Sequence, residues 1–415
     1  MSKKILVLGV QQNNFLSFLY GSLKKEYPDF TITVPYYKEV DVQVAVSDWM
    51  YDNSSLKRHV SLINYVRAFF YLLFSRHHYS TLFFILFFEK KLFKAGHFLS
   101  SSLKEKSFFL QNNDFVSIDT FHFHFMQYSY LRSLFLVPKH KKIVCSFWGS
   151  DLMRTSDTFN HFFVQKALKR ANVITCQSLE MKEIILSKFG RSLHDKIQIN
   201  NFPIDQAVFN GIDDFTSSDR EALNLFKKTY GFSSNKINVV IGHNGSPQNN
   251  HLKCIEALES LPNKEQLHLI VNLCYALPKH QYESYKTSLE NAFEQTGIGY
   301  TIIEKFFSGN ELVLSRLATD VFIHVPVSDA LSATLTEMMY AGSVAITGSW
   351  LPYNTLRQIG LHYHQVSDFK QICEKLKLAL TDFEKEKTLC KSNKALIRDF
   401  FFRKQIVEKW AEILS

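Results

Sequence analysis

Short apolar runs alternate with amphipathic segments along most of this 415-residue chain. Apolar runs bounded by polar or turn residues predict buried strands, and apolar positions three and four apart between them predict helices. A polar connection at 206–235 divides the pattern into two halves, and a helix is predicted at 394–414. The predicted strands are 4–8, 31–34, 81–88, 115–121, 142–146, 173–176 and 197–200 in the first half, and 237–241, 266–271, 299–303, 320–325 and 343–347 in the second.

The alternation of strands and helices determines the expected fold class. Strands separated by helices imply a parallel, doubly wound sheet, so we predict an α/β protein. Single hydrophobic cores stop growing near about 250–300 residues, so a chain of this length predicts two domains. We place the first domain at 1–205 and the second at 236–393, with the terminal helix at 394–415.

Cysteine usage and the first residues of the chain favour a cytoplasmic protein. The six cysteines are scattered and include no Cys-x-x-Cys pair. This spacing predicts reduced thiols and argues against both a disulfide framework and a zinc site. The first four residues lead directly into an apolar run without a small-residue cleavage site, so we expect no signal peptide.

Positive charge is concentrated in the first half of the chain. Residues 1–205 contain 26 Lys and Arg and 16 Asp and Glu, a net charge of +10, whereas the remainder carries −1. Between 56 and 109, aromatic runs alternate with Lys and Arg, and each run is shorter than the roughly 18–20 residues that span a bilayer. This pattern predicts peripheral contact with an anionic membrane, on the inner face of the cell membrane.

A core-facing helix at 65–74 and a buried strand at 82–88 are the alternative interpretation of the same aromatic runs. Nucleic acid is another class of partner for a basic, aromatic surface. The sequence contains no RNA-binding or helix-turn-helix signature, so no nucleic-acid partner is expected.

The most informative segment runs from Asp329 to Glu337, after the predicted strand 320–325. Ser332 and the small residues behind it open a helix, and a helix N-terminus offers unpaired N–H groups and a partial positive charge to a phosphate. Asp329 precedes the helix, and Glu337 lies one to two turns into it, where it could accept hydrogen bonds from a ribose. The segment predicts a nucleotide-sugar site; an amphipathic helix with a Ser cap and a surface Glu is the alternative.

A second polar loop follows the predicted strand 237–241. Glycine allows a close backbone approach to a ligand, and Asn and Ser side chains supply neutral hydrogen-bond donors. A surface turn is the alternative, but ligands in open α/β sheets bind outside the carboxyl ends of strands. The candidate donor-binding residues in this loop are Gly242, Asn244, Gly245, Ser246, Asn249, Asn250 and His251.

These motifs resemble the group 1-like glycosyltransferases of the GT-B superfamily, in which an acid, seven residues and Glu precede Ala-Gly and a strand. Here the first acid is Asp329. The superfamily usually carries Gly-Arg and then Lys in the second loop; neither cation is present, and a protonated His251 could replace the Lys. The Gly-x-x-Gly and Asn-Asn-His pattern, the Trp-Gly-x-Asp at 148–151 and the Phe-Pro at 202–203 are similar to the bacterial family that transfers N-acetylfucosamine from a dTDP donor to lipid II.

The resemblance implies two Rossmann-like domains that face a central cleft, with a C-terminal helix that crosses back to the first domain. It also implies roles in the second domain. Asp329 would contact the donor sugar as a catalytic residue, and Glu337 would hold the ribose. The phosphates would contact Ser332 and the backbone amides of Ala333 and Thr334.

In the first domain, the superfamily often has a His at a strand end facing the donor sugar. His122 and His124 share one face of the strand, and we choose His124 as the catalytic candidate because it lies nearer the loop. A satisfied core histidine is the alternative. The acceptor-binding candidates are Trp148, Asp151, Gln11 and Asn13, although Asp151 could equally be a helix N-cap.

The sequence contains no Asp-x-Asp, so we expect no metal and no cofactor besides the nucleoside-diphosphate sugar that serves as co-substrate. Helix dipoles and neutral donors would neutralise the leaving diphosphate. The expected reaction transfers a sugar, with retention of its anomeric configuration, to a surface-glycan or lipid-linked saccharide acceptor. A non-catalytic relative that acts as a binding partner or scaffold, and a sugar-nucleotide epimerase of the same fold, are the alternatives.

Overall fold

The computed structural model describes residues 3–9, 14–34, 60–112, 117–402 and 404–415. It divides into two compact units, the first formed by Met1–Pro203 with Lys404–Ser415 and the second by Ile204–Arg403. Each unit contains a six-stranded parallel sheet flanked by helices. The predicted α/β class with two parallel sheets is therefore confirmed.

The sheet of the first unit is ordered β2-β1-β3-β4-β5-β6. Its central strands are buried along almost their whole length, because helices cover both faces of a parallel sheet. The strands are β1 (Lys3–Gly9), β2 (Phe30–Thr33), β3 (Thr120–His124), β4 (Lys142–Ser146), β5 (Val173–Cys176) and β6 (Ile197–Ile199). The helices are α1 (Asn14–Glu26), α2 (Leu62–Leu73), α3 (Arg76–Phe83), a π-helix (Phe84–Glu89), α4 (Leu92–Gln111), α5 (Tyr128–Leu131), α6 (Ser150–Met153), α7 (Thr158–Arg170) and α8 (Leu179–Phe189).

The sheet of the second unit is ordered β12-β11-β10-β7-β8-β9, so β10 and β7 occupy its centre. The strands are β7 (Ile237–Ile241), β8 (Leu267–Asn272), β9 (Gly299–Ile303), β10 (Val321–His324), β11 (Val344–Gly348) and β12 (His364–Val366). The helices are α9 (Ala207–Asp214), α10 (Arg220–Tyr230), α11 (His251–Ala257), α12 (Lys279–Thr296), α13 (Gly309–Leu317), α14 (Ala333–Tyr340), α15 (Asn354–Gln358), α16 (Gln371–Thr381), α17 (Phe383–Lys391) and α18 (Asn393–Phe401).

The strand predicted at 81–88 is wrong, because these residues continue α3 into the π-helix. Residues two apart share a face in a strand, yet Thr81 is buried and Phe83 is exposed. Thr81 and Ile85 are both buried, at the four-residue spacing of a helix. They are also the only β-branched residues of the segment, and buried parallel strands are usually rich in such residues. Length and hydrophobicity alone do not separate the two structures.

The segment 206–235, predicted as a polar connection, contains α9 and α10. Val208, Phe209, Ile212 and Phe226 place apolar side chains on one side of these helices, and all four are buried in the core of the second unit. Hydrophobic burial thus makes this segment part of the second unit, while its Asp and Ser residues remain on the solvent side.

The chain end forms two helices instead of the single helix predicted at 394–414. α18 ends at Phe401 in the second unit, and α19 (Lys404–Leu414) belongs to the first. The fully buried Trp410 of α19 stacks on Phe202 and donates its indole N–H to the Asn201 carbonyl over 2.8 Å. These contacts fix the terminal helix on the first unit.

Two smaller differences concern strand positions. The strand predicted at 115–121 is observed at Thr120–His124, and residues 113–116 lie outside the described part of the chain. Its two histidines can be buried in the strand because Tyr20, Ser146 and the Trp148 indole satisfy their ring nitrogens. The edge strand β12 was not predicted, because three residues beginning with His-Gln provide no apolar run.

Candidate functional site

A small cavity opens at the carboxyl ends of the strands in the second unit. Gly242 directly follows β7, Asn272 ends β8, and both line the cavity with Arg316 of α13 and Thr334 of α14. Ligands of open α/β sheets bind at this edge of the sheet. The two segments that the sequence analysis identified therefore line the same cavity, one through Gly242 and the other through Thr334.

The N-terminus of α14 contributes one wall of the cavity. Leu331 adopts a left-handed conformation with φ of 50°, and Ser332 then caps the helix by accepting the Leu335 amide. Ser332, Ala333 and Thr334 are each partly exposed. A helix start carries a partial positive charge and N–H groups without intrahelical partners, so this wall suits an anion.

Arg316 brings a cation to the cavity that the sequence analysis missed. Its Nε and one terminal nitrogen donate to Oε2 of Glu337 over 2.9 and 2.7 Å, and both side chains are largely buried. The ion pair fixes the Glu337 carboxylate beside Arg316. A signal existed, because Arg316 is the only Lys or Arg between 306 and 356, but α13 lies outside the recognised motifs.

Asp329 is held as a carboxylate by partners from two other elements. Its Oδ2 lies 2.9 Å from Nε2 of His324 and accepts the Tyr353 hydroxyl over 2.7 Å, while Oδ1 accepts the Ala330 amide. Burial opposes ionisation, but the hydrogen bonds and charge of His324, with the Tyr353 bond, lower the pKa to about 2. The side chain remains 26% exposed. Asp329 is thus an ionised group anchored at the end of β10.

The Asn side chains of the loop after β7 hold the loop itself together. Asn249 donates to the side-chain and backbone oxygens of Asn244 and to the Ser246 carbonyl, and Asn244 accepts the Ser246 amide. Asn250 donates to the Val325 carbonyl over 2.8 Å and so ties this loop to the end of β10. The side-chain amides of Asn249 and Asn250 therefore stabilise this loop beside the cavity.

Two glycines of this loop lie where a side chain has no room. Gly242 has φ of 68°, and an added Cβ would approach Nε2 of His251 to 2.5 Å. An added Cβ on Gly245 would approach the Tyr275 carbonyl oxygen to 3.0 Å. Gly242 is required for packing within the loop, and Gly245 for packing of the loop against the segment that follows β8.

His251 is uncharged, which corrects the idea that it could replace a Lys. It is fully buried, and its Nδ1 lies 2.9 Å from the Tyr285 hydroxyl. Burial, helped by the neighbouring His243, lowers the pKa of His251 to about 3. Among the described residues that line the cavity, Arg316 supplies the cation instead.

In the first unit, His124 belongs to a buried hydrogen-bond chain. The Trp148 indole can only donate, so His124 accepts at Nδ1 over 3.2 Å and donates from Nε2 to the Tyr20 hydroxyl over 2.7 Å. Tyr20 then donates to Nδ1 of His122, whose Nε2 donates to Ser146 over 2.7 Å. Burial lowers the pKa of both histidines, to about 3 for His122, so the chain is neutral. His124 therefore orients the Trp148 side chain by accepting its indole N–H.

Asp151 braces the turn between β4 and α6. Its Oδ1 accepts the amides of Trp148 and Gly149 over 2.9 and 2.8 Å, and its Oδ2 accepts the Met126 amide over 2.7 Å. The carboxylate is buried, whereas Trp148 remains partly exposed. Asp151 fixes the position of Trp148, and the predicted acceptor residues Gln11 and Asn13 lie outside the described residues.

One group of three side chains in the described part of the chain could hold a metal ion. His362 and His364 each place Nε2 within 2.8 and 3.1 Å of Oε2 of Glu386. His364 lies on the edge strand β12, and none of the three residues lines the cavity. The group is therefore separate from the cavity.

Searches by sequence find no relative: no family model matches the chain, and no curated protein matches it. Solved structures do match over its full length. HepE from Anabaena, in complex with UDP and glucose, is 13% identical, with a TM-score of 0.64 over 99% of both chains. A glycosyltransferase from Rickettsia africae is 12% identical, with a TM-score of 0.68 over 100% of this chain and 98% of its own.

A third match is an α,α-trehalose-phosphate synthase (UDP-forming) from Burkholderia vietnamiensis, 11% identical, with a TM-score of 0.65 over 100% of this chain and 99% of its own. At such identities the likeness shows the fold alone. The chain has the two-domain GT-B fold, and the narrower resemblance to the N-acetylfucosamine transferases stays a prediction.

Proposed function

We propose that this protein is a glycosyltransferase that binds a nucleoside-diphosphate sugar on its second unit. The observation that carries the proposal is the cavity at the strand ends. There Arg316, the one Lys or Arg among the described residues that line it, lies near the N-terminus of α14. A diphosphate is the ligand class that matches one fixed cation combined with a helix start. The fold shared with HepE, which was solved with UDP and glucose, agrees with this ligand.

In the proposed complex, Ser332 and the amides of Ala333 and Thr334 receive the phosphates. Glu337, oriented by Arg316, accepts hydrogen bonds from the ribose. The loop after β7 completes the donor site through the backbone of Gly242 and Gly245, Ser246, and the braced side chains of Asn244, Asn249, Asn250 and His251.

Chemistry at the sugar is assigned to Asp329, whose carboxylate is ionised and partly exposed next to α14. An anion at this position would stabilise positive charge that develops at the anomeric carbon as the diphosphate leaves. Arg316 and the α14 dipole would stabilise the leaving group without a metal ion. Retention of the anomeric configuration is part of the proposal and rests on the resemblance to the superfamily.

The acceptor is proposed to bind the first unit at Trp148, whose position Asp151 and His124 fix. A flat, partly exposed indole is suited to stacking against a sugar ring. A surface-glycan or lipid-linked saccharide acceptor, Gln11 and Asn13 as further contacts, and a cytoplasmic location belong to the same proposal.

Nucleotide binding tests the donor site directly. A panel of UDP-, GDP- and dTDP-sugars should contain a ligand that raises the melting temperature, because a ligand stabilises the folded state by RT ln(1 + [L]/Kd). Glu337→Gln keeps an acceptor for Arg316 but removes the charge, and should weaken nucleotide binding by about 1–3 kcal/mol in calorimetry. Glu374→Gln, at an exposed position of the same unit, is the matched control and should bind normally.

The outcomes separate the alternatives. Unchanged affinity in Glu337→Gln would remove Glu337 from the site, and a panel without any stabilising nucleotide would overturn the donor site altogether. If a bound nucleotide sugar is interconverted without an acceptor, the protein is an epimerase. Binding without turnover in the presence of saccharide acceptors would favour the non-catalytic partner or scaffold.

A further inference from the structure

The helices between β2 and β3 of the first unit expose an unusual amount of apolar surface. Of the 24 large apolar side chains that are exposed in the described residues, 15 lie between Leu62 and Leu99, on α2, α3, the π-helix and the start of α4. Phe93 is 90% exposed. Single exposed apolar residues are normal, whereas clusters of them mark interaction sites. We call residues 62–99 the α2–α4 face.

A groove of about 380 Å³ connects the helices of this face. Phe69 and Leu72 of α2, Tyr79 of α3, and Leu99 and Leu103 of α4 line it, and its exposed lining is almost entirely apolar. A groove of this volume is in the range of small-ligand sites, and its lining offers few hydrogen bonds. Its chemistry matches a hydrocarbon chain.

The surroundings of the groove are positively charged. Residues 60–112 contain seven Lys and Arg and two Glu, a net charge of +5. Both acids are paired, Glu89 with Lys91 and Lys94, and Glu105 with Arg132. The acids therefore do not present a free negative charge to a partner, and the net field favours an anionic surface.

We propose that the α2–α4 face docks on a bilayer that contains anionic lipids, and that the groove takes up one acyl chain of such a lipid. None of the described helices is long and apolar enough to cross a membrane. Exposed Phe and Leu side chains enter the boundary between headgroups and acyl chains, while Arg67, Lys90 and Lys91 contact the lipid phosphates. The inference rests on residues of the first unit and does not depend on the donor site.

A second copy of the chain is a less favourable occupant of this face. Two copies that met through their α2–α4 faces would bring together two surfaces that each carry a net charge of +4, and like charges across an interface oppose association. An anionic bilayer compensates the same charge. The bilayer therefore satisfies both the apolar surface and the cations.

Docking is tested by sedimentation of the full-length protein with vesicles of phosphatidylcholine, with or without phosphatidylglycerol. The protein should bind only the anionic vesicles at low salt, and high salt should release it. Combined Arg67→Gln, Lys90→Gln and Lys91→Gln should lower vesicle affinity on the order of 100-fold. Lys377→Gln, Lys385→Gln and Lys391→Gln remove the same charge from exposed positions of the second unit and should have little effect.

Chain uptake is tested with lysophosphatidylglycerol that carries a fluorescent acyl chain, below its critical micelle concentration. Leu99→Trp fills the groove and should weaken binding by about tenfold or more, because several methylene groups lose their apolar contact. Leu389→Trp is the matched control: Leu389 is 41% exposed and Leu99 43%, and Leu389 lies in the second unit. Equal binding by the two variants would overturn the groove assignment.

Two results would overturn docking. One is a protein that stays in the supernatant with anionic vesicles at low salt. The other is a stable lipid-free dimer that dissociates on Phe93→Ser, which would assign the face to a second copy. Vesicle binding without any nucleotide binding would support docking and contradict only the proposed function.

Discussion

At Asp329, two hydrogen-bonding side chains act on the same carboxylate oxygen and keep the group ionised. His324 comes from β10, and Tyr353 follows β11, so the carboxylate also links two strand ends. A residue proposed for chemistry therefore has a structural role as well. Its ionisation should be measurable as a contribution to stability.

The pKa of Asp329 is lowered from 3.8 to about 2, so its contribution is fully present above about pH 4 and is lost as the pH falls towards 2. A difference of this size corresponds to about 2 kcal/mol. Asp329→Asn should therefore lower the melting temperature at pH 7, and the difference from wild type should shrink between pH 4 and 2. Asp368→Asn, an exposed position in the same unit, is the control. A difference that does not change with pH would contradict the assignment.

Arg316 shows which candidate site residues could be found from the sequence. The acid spacing located Asp329 and Glu337, because both lie within one loop-helix segment. Arg316 lies 21 residues before Glu337 on a different helix, and only the packing of α13 beside α14 brings them together. A motif search compares residues that are close in sequence, so it cannot identify an ion-pair partner on a different helix.

At the scale of elements, the turn from β4 to α6 depends on one buried carboxylate. Asp151 accepts three backbone amides and thereby fixes Trp148 and Gly149. The sequence offered two roles for Asp151, an N-cap or an acceptor contact. The structure gives it a capping-like role, in which it accepts backbone amides beside the partly exposed Trp148.

Asp151→Asn should destabilise the first unit by about 1–3 kcal/mol. Both carboxylate oxygens of Asp151 accept backbone N–H groups, so the NH2 group of Asn would point at another donor in either orientation of the side chain. Calorimetric unfolding measures the change. Asp157→Asn is the matched control: Asp157 caps α7 by accepting the Asn160 amide, and Asn caps helices as well as Asp. Equal destabilisation by the two substitutions would show that the triple acceptor role has no special importance.

For the whole molecule, the proposed metal independence follows from the arrangement of charge. The sequence has no Asp-x-Asp, and the cavity pairs a fixed guanidinium with a helix N-terminus. Turnover should therefore survive excess EDTA. Glu386→Gln weakens the separate His362, His364 and Glu386 group and controls for a metal bound there. Activity that is lost on chelation and restored by manganese or magnesium, in wild type and in this variant, would contradict the proposed phosphate site.

The sequence by itself determined the alternating strands, their grouping into two sheets and the two loops that meet at the cavity. Buried parallel strands need continuous apolar runs, and such runs are visible without knowledge of their neighbours. The strand predicted at 81–88 was wrong because an aromatic run fits a helix as well as a strand when only one side of the element is buried.

Tertiary structure decided the partners of the polar groups. The chain from Trp148 to Ser146 through Tyr20, the pairing of Arg316 with Glu337, and the return of Trp410 to the first unit all join residues that are distant in sequence or on different elements. A buried polar group must find a hydrogen-bond partner, but the sequence does not state which distant group packing will place beside it. Tertiary structure also decided the exposure of the α2–α4 face, because only the packing of the helices determines which aromatic side chains remain exposed.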